Sequence, residues 1–206
     1  MPRTVRQLLL GMMAIVAIGL FSTPTPGATG DVDRTVVLNV RSACVLNFAR
    51  FATWPAGRFE DASSPLVIGI IGPSAATGVL EATLAGRTAS GHPLELRVIQ
   101  LSAQEAAGRG PLGAASAEQV AACHLLYVPG PHGESTRVLW PVARDNDVLL
   151  VVDDQSRLSQ GGMIAMPVVG SNVRPVVNQA TVRASRIQLS SRLLQLSERV
   201  RREPRP

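Results

Sequence analysis

Apolar residues along this chain fall into stretches of two distinct periods. From Val36 to Ala52 they recur at Val37, Val40, Cys44, Phe48 and Phe51. Spacings of three and four predict one buried stripe on a helix, which Pro55 ends. Pro65 to Ile71 is a short, continuous apolar run rich in β-branched residues, the pattern of a strand buried on both faces. Ser74 then stands as an N-cap, and Ala75 to Ala85 reads as a helix closed by Gly86. Leu94 to Leu101 alternates apolar with polar residues and predicts a second strand. Ala103 to Ala122 is rich in alanine but carries Gly108, Gly110, Pro111 and Gly113, so a broken helix or two short ones are expected.

The second half repeats the alternation. Leu125 to Val128 predicts a third strand, followed by a turn through Pro129 to Gly133 and a short helix from Glu134 to Trp140. Val148 to Val152 predicts a fourth strand that ends in Asp153-Asp154. Met163 to Val169 and Val173 to Val177 pair as a hairpin through Gly170-Ser171-Asn172. Gln179 to Arg202 carries Val182, Ile187, Leu189, Leu193, Leu194 and Leu196 and reads as one terminal helix. This order predicts a three-layer α/β sandwich whose mainly parallel sheet carries an antiparallel edge hairpin.

Ahead of these elements, Arg3 and Arg6 precede an apolar stretch from Leu8 to Phe21, and a Pro-, Thr- and Gly-rich segment follows. That is the arrangement of a secretory signal, and the apolar stretch is shorter than the ~20 residues a spanning helix needs. The expected organisation is a signal peptide over 1–28, a flexible segment over 29–35, one α/β domain over 36–198 and a basic tail over 199–206. An uncleaved N-terminal anchor is the alternative to cleavage near Ala28. Cys44 and Cys123 suit the oxidising compartment that export implies: they allow one disulfide, or both are buried core thiols. Neither the cysteines nor the histidines have metal-ligand spacing, so no metal or cofactor is expected.

The formal charge of +5 comes from arginine, since the chain has no lysine. Arg3 and Arg6 lie in the signal, and Arg199, Arg201, Arg202 and Arg205 crowd the last residues. The body between them is nearly neutral, which excludes a broad nucleic-acid-binding face.

Candidate chemistry is sparse. Gly72 to Gly78 joins a strand to a helix, where an anion can meet helix N–H groups, but the spacing is that of neither a dinucleotide fingerprint nor a phosphate loop. A simple strand–helix turn is the plainer reading. His92 and His132 fall in turns and His124 at a strand start, and no nucleophile-elbow motif accompanies them. His132 with Asp153 or Asp154 would be the core of a hydrolase; a solvated strand-end cap is the alternative.

The sequence RSACVLNFARFATWP (Arg41 to Pro55) resembles the opening segment of the YfiR-like family, approximately KAAYLYNFAKFVEWP. Further resemblances follow in order. They are Pro65 to Gly72, Gly91-His92-Pro93-Leu94, Cys123-His124-Leu125-Leu126-Tyr127-Val128, Gly161-Gly162-Met163-Ile164 and Ile187 to Leu196. The resemblance implies a non-enzymatic periplasmic regulator that represses an inner-membrane diguanylate cyclase or sensor protein by binding its periplasmic part. Cyclic di-GMP and biofilm control would follow from that role. A homodimer is compatible with it, and a small-solute or anion-binding module is the main alternative.

Asn47, Trp54, Gly161, Gly162, Asn178 and Arg192 match motif positions. Arg174-Pro175-Val176-Val177-Asn178 departs from the family's RFEIN by a proline, which removes a ladder donor and is expected to weaken that strand or place it at an edge. Asn47, Arg174, Asn178 and Arg192 are the expected partner- or ligand-binding residues.

Overall fold

The structure, a computed structural model, describes residues 28–170 and 172–199. The signal over 1–28, all but Ala28, and the tail beyond Arg199 lie outside the described residues. Helix α1 (Ala28–Phe51) starts earlier than the hydrophobic pattern predicts, taking in the segment over 29–35 that was expected to be flexible. It runs directly into β1 (Ala52–Thr53), and Trp54-Pro55 turns the chain toward β2 (Leu66–Ile71). The units α2 (Ala75–Leu84), β3 (Thr88–Ala89) and β4 (His92–Ile99) follow. The glycine-interrupted stretch forms two short helices, α3 (Ala103–Ala106) and α4 (Ala114–Ala121), as its breakers predict. Then come β5 (Leu125–Val128), α5 (Thr136–Asp145) and β6 (Leu149–Val152).

The strands β2, β5 and β6 are buried at every position, which is why each reads as an unbroken apolar run. They pair in parallel, as do β2 with β4 and β6 with β7 (Ile164–Ala165). The chain leaves β2 for β4 on one side, then returns past β2 to β5 on the other. Right-handed crossovers in opposite directions place successive helices on opposite faces. Accordingly α2 packs with α1, and α4 packs with α5. The result is the expected three-layer sandwich.

The hairpin forms, but Asn172, expected in its turn, belongs to the second strand and pairs with Val169, and the hairpin comes in two pieces. Ile164 and Ala165 of β7 pair with Val177 and Val176 of β10 (Val176–Val177) inside the main sheet. Farther out, β8 (Val168–Val169) pairs with β9 (Asn172–Val173) as a separate ribbon. Between the pieces lie Pro167 and Pro175, each without an N–H for the ladder, and the Arg174 N–H to Pro167 carbonyl bond of 3.0 Å bridges the gap. The hairpin is not the outermost edge on this side. Strand β12 (Glu198–Arg199) pairs in parallel outside β10, so Arg199, expected in the basic tail, ends the sheet.

Two further expectations are corrected. Gln179 to Arg202 is not one helix. It forms α6 (Gln179–Arg183), β11 (Gln188–Leu189), α7 (Ser191–Leu196) and then β12. The helical period is present, but polar residues between its apolar positions offer the backbone other bonds. Ser185 Oγ donates to the Val182 carbonyl, and Ser190 caps α7 by accepting from the Leu193 N–H. Between them buried Asp147 accepts from both the Arg186 backbone N–H and its guanidinium, at 3.0 and 2.5 Å. Strand β11 then pairs antiparallel with β1. The stripe on α1 is also rotated from the predicted one. Val45, Leu46, Phe48, Ala49 and Ala52 are buried, Val37, Cys44 and Phe51 are half-buried, and Val40 is 40% exposed. With apolar residues on nearly every side of the helix, the period alone did not select the face.

The glycine pair Gly161-Gly162 has a packing role. Gly161 lies at φ +112°, and a Cβ there would run into the ring of Trp140 on α5. A Cβ on Gly162 would stand 3.1 Å from the Arg157 carbonyl oxygen. Gly161→Ala is expected to cost about 2 kcal/mol, from backbone strain and the displaced indole together. Urea unfolding checks it; a loss within a few tenths of a kcal/mol would contradict this role.

Candidate functional site

Open sheets of this winding place binding crevices beyond the carboxyl ends of the strands, where the winding reverses. Here that point lies between β2 and β5, and the protein's own side chains occupy it. Gly72 follows β2 at φ +64°, and a Cβ there would stand 2.6 Å from Nε2 of His132, so the imidazole lies directly over the turn. The next amides along are partly engaged as well. The Gly72 N–H donates to the Ile99 carbonyl (2.7 Å), and the Ser74 N–H to Thr77 Oγ1 at the start of α2 (3.1 Å).

Beside this turn, Asp153 at the end of β6 is only 8% exposed and gathers three elements. Its Oδ1 accepts from the Tyr127 hydroxyl of β5 at 2.6 Å. Its Oδ2 accepts from the Gly130 N–H and from Nη1 of Arg41, both at 2.8 Å. Arg41 reaches down from α1, and its Nε and Nη2 also donate to the Met166 carbonyl just beyond β7 (3.2 and 3.1 Å). Burial, reinforced by the neighbouring Asp153 charge, raises the Tyr127 hydroxyl far above its ordinary range, so it stays a donor. Asp154 faces away from this network and caps the following turn through the Ser156 N–H at 2.8 Å. That bond holds its carboxyl below the usual carboxylate range. Asp153 therefore joins α1 to the strand ends, and the two carboxylates expected to act with His132 hold different bonds.

The four residues singled out from sequence do not form one site. Asn178 is a structural pin. Its Nδ2 donates to the Leu158 carbonyl (3.1 Å), and its Oδ1 accepts from the Thr181 N–H to cap α6 (3.3 Å). Arg174 is exposed on the segment between β9 and β10. Asn47 is exposed on α1, one helical turn before Phe51, and Arg192 on α7 lies over the Phe51 ring with Cζ 5.6 Å from its centroid. Only Asn47 and Arg192 thus approach one surface. Sequence reasoning missed Arg41 and Tyr127. The available signal was a lone arginine one turn from Val37 and three residues before Cys44, within a largely apolar helix.

At the opposite, amino end of the strands lies an aromatic clasp. Phe59 stacks between His92 (3.8 Å, 10° between planes) and His124 (4.4 Å, 13°). The Nδ1 of His124 accepts from the Val67 N–H (3.1 Å), and its Nε2 meets the Arg58 carbonyl (3.0 Å), an arrangement that requires the neutral Nε2–H tautomer. Trp54 Nε1 donates to the His124 carbonyl at 2.9 Å. The Arg58 guanidinium donates to the carbonyls of Ala121 and Cys123. Burial, then the charges of Arg58 and His92, push His124 down to about 4.

Cys44 and Cys123 are free thiols in this structure, so the disulfide that the sequence allows is not formed. Cys123 shares the face of Leu126, where both approach Gly69, and its thiol donates to the Gln119 carbonyl of α4. Cys44 lies on α1, beside Tyr127. Leu126 and Tyr127 are consecutive in β5 and point to opposite faces, so the sheet separates the two sulfurs. Burial raises Cys123 to about 11 and raises Cys44 as well. Intact mass is expected to show no difference of two hydrogens on reduction, and a maleimide to label the half-buried Cys44 before Cys123. A two-hydrogen gain on reduction would contradict the separation.

Among the described residues, no group of three or more His, Cys, Asp or Glu is placed to hold a metal ion, and no helix is long and apolar enough to cross a membrane. No curated protein matches the chain. One solved structure it resembles is a conserved domain protein from Vibrio cholerae O1 biovar El Tor strain N16961, with a TM-score of 0.50 and 11% identity. The likeness covers 65% of this chain and 54% of that one, so this chain spans about half of its length, and it bears on the fold alone. The profile of YfiR/HmsC-like proteins matches residues 38–198, from the first helix through the last short strand. That match takes in the Arg41 to Pro55 segment, the Gly161-Gly162 pair and the Asp153 network in one continuous span: the chain belongs to the YfiR/HmsC-like family.

Proposed function

We propose that this protein is an exported, non-enzymatic repressor that binds the periplasmic part of an inner-membrane diguanylate cyclase and holds it inactive. At family level the chain is a periplasmic regulator of diguanylate cyclase signalling. The observation that carries the proposal is the family match over residues 38–198, which covers nearly all of the described domain. A second supports it. Where related windings open a ligand crevice, this chain sets His132 over Gly72, and Asp153 is bonded to Arg41, Tyr127 and Gly130. Those side chains serve the domain's own architecture, and recognition falls to its surface. A cleaved signal over residues 1–28 delivers the chain to the periplasm in this reading, and release of the cyclase raises cyclic di-GMP and promotes biofilm.

The test is cyclic di-GMP measured in the native host. Deletion is expected to raise it several-fold and overproduction to lower it, with both effects lost in a strain lacking the cognate cyclase. Levels that respond to neither change would overturn the repressor role.

A further inference from the structure

We propose that the outer edge of β4 docks a second copy of this chain, whose own β4 pairs antiparallel with it across a two-fold axis at Arg97 and joins the two main sheets into one. The surface is defined by this chain's backbone and is independent of the cyclase reading.

Strand β4 runs from His92 to Ile99, and β2 accompanies it on one side from Leu94 to Ile99. On the other side β3, the last strand of the sheet, pairs only with His92 and Pro93. The Leu94 N–H donates to the Arg87 carbonyl at 3.1 Å, which ends the cover on that side among the described residues. The Ile99 carbonyl accepts from the N–H of Gly72, the residue after β2, at 2.7 Å. Backbone groups of successive residues alternate between the two sides of a strand. Leu94 therefore points away from β2 and Ile99 toward it, so Leu96 and Val98 turn their N–H and C=O groups outward. Among the described residues no strand receives them. An edge left open in this way is a template for another strand. The side chains agree: Leu96 is only half-buried, and Val98 on the same face is 41% exposed.

Length and charge select the occupant. The open stretch is Glu95 to Ile99, closed at one end by Arg87 and at the other by the end of the strand. Its midpoint is Arg97. Antiparallel pairing about Arg97 sets Leu96 opposite Val98 of the second copy and Val98 opposite its Leu96. Both pairs are apolar and both exchange their N–H···O bonds. A longer extended segment runs into Arg87. A second β4 does not, because it ends at Ile99, one residue short of the position opposite Leu94. On the other face Glu95 holds Arg97 at 2.9 Å. At the axis the two Arg97 side chains meet, each with its own Glu95 beside it and Glu95 of the second copy on the diagonal, so the group carries no net charge. A strand of strong net charge of either sign is the weaker match. Pairing about Leu96 instead brings Val98 of the second copy onto Leu94, whose N–H is already held by Arg87.

The experiment is sedimentation equilibrium on the chain as purified from its native host, at up to about 1 mM, because short interfaces are weak. A monomer–dimer equilibrium is expected. Val98→Lys places a charge on the exposed edge and is expected to weaken association about tenfold, with the melting temperature of the dilute protein unchanged. Cysteine pairing in a Cys44→Ala background reads the register separately. Residues facing each other in a non-hydrogen-bonded pair have Cα atoms about 4.5 Å apart, within reach of a disulfide. Arg97→Cys is thus expected to give a covalent dimer on oxidation, and Glu95→Cys and Val98→Cys to give none. A monomer at every concentration, association unchanged by Val98→Lys, or a covalent dimer through Val98→Cys in place of Arg97→Cys would each overturn the proposal. Capture of a different protein by Arg97→Cys in the native host would overturn the second copy as the occupant.

Discussion

Asp153→Ala is expected to destabilise the domain by about 3–5 kcal/mol, the cost of breaking a buried ion pair by removing one partner. The substitution leaves the Arg41 guanidinium with only the Met166 carbonyl, and removes the acceptors of the Tyr127 hydroxyl and the Gly130 N–H. Three elements lose their common anchor at once: α1, β5 and the turn after it. Asp153→Asn keeps the shape and one acceptor oxygen and is expected to cost clearly less, which separates the charge from the packing. Urea unfolding of the two variants measures both. A loss below about 1 kcal/mol for Asp153→Ala would show that the network is solvated and does not anchor α1.

Acid is expected to weaken the protein through His124. In the folded chain its Nδ1 is committed to the Val67 N–H, and burial holds its titration down near 4, against 6.5 for an unperturbed histidine. The unfolded chain therefore takes up a proton below about 6.5 that the folded protein refuses until about 4. The stabilising contribution is complete above 6.5, declines as the pH falls between the two values, and is gone below about 4. The full loss is about 3 kcal/mol. Asp61, Glu105 and Asp154 have carboxyls held below the ordinary range by local hydrogen bonds, so their contributions are lost mainly at lower pH. The measurement is urea-derived stability from pH 7 to 4. His124→Gln is expected to lower stability at pH 7 and to flatten the slope between 6.5 and 4 by one proton. An unchanged slope would mean that the clasp of Phe59, His92 and His124 opens to water before His124 titrates.

The parts of the fold visible in the sequence were those whose burial is complete or whose register is local. Strands β2, β5 and β6 are covered on both faces and read as unbroken apolar runs. The hairpin was legible as two apolar runs about Gly170, although Asn172, expected in its turn, pairs with Val169, and Pro175 marked where its ladder fails. Family membership was legible from motifs spread along the chain and is borne out by the match over residues 38–198. The buried face of α1 and the terminal segment were not legible. In α1 apolar residues lie on almost every side, so periodicity gave Val40 to the core that leaves it exposed. In the terminal segment a helical period competes with the serine caps at Ser185 and Ser190 and with the pairing of Leu189 with Ala52, far back in the chain.

The candidate site divides along the same line. Asp153 and His132 were visible as polar residues beside strand ends, and Gly161-Gly162 as a motif match whose contact with Trp140 only the structure shows. That Asp153 would meet Arg41, 112 positions earlier, was not visible, because no local period links a helix arginine to the end of a distant strand. By itself the sequence determined the alternation of helix and strand, the parallel core and the family, since these rest on local period and complete burial. Only the tertiary structure decided which side of α1 faces water, that the sheet keeps Cys44 and Cys123 apart, and that the strand-end crevice is filled. Each of those depends on contacts between segments remote in the chain, whose geometry is set by packing.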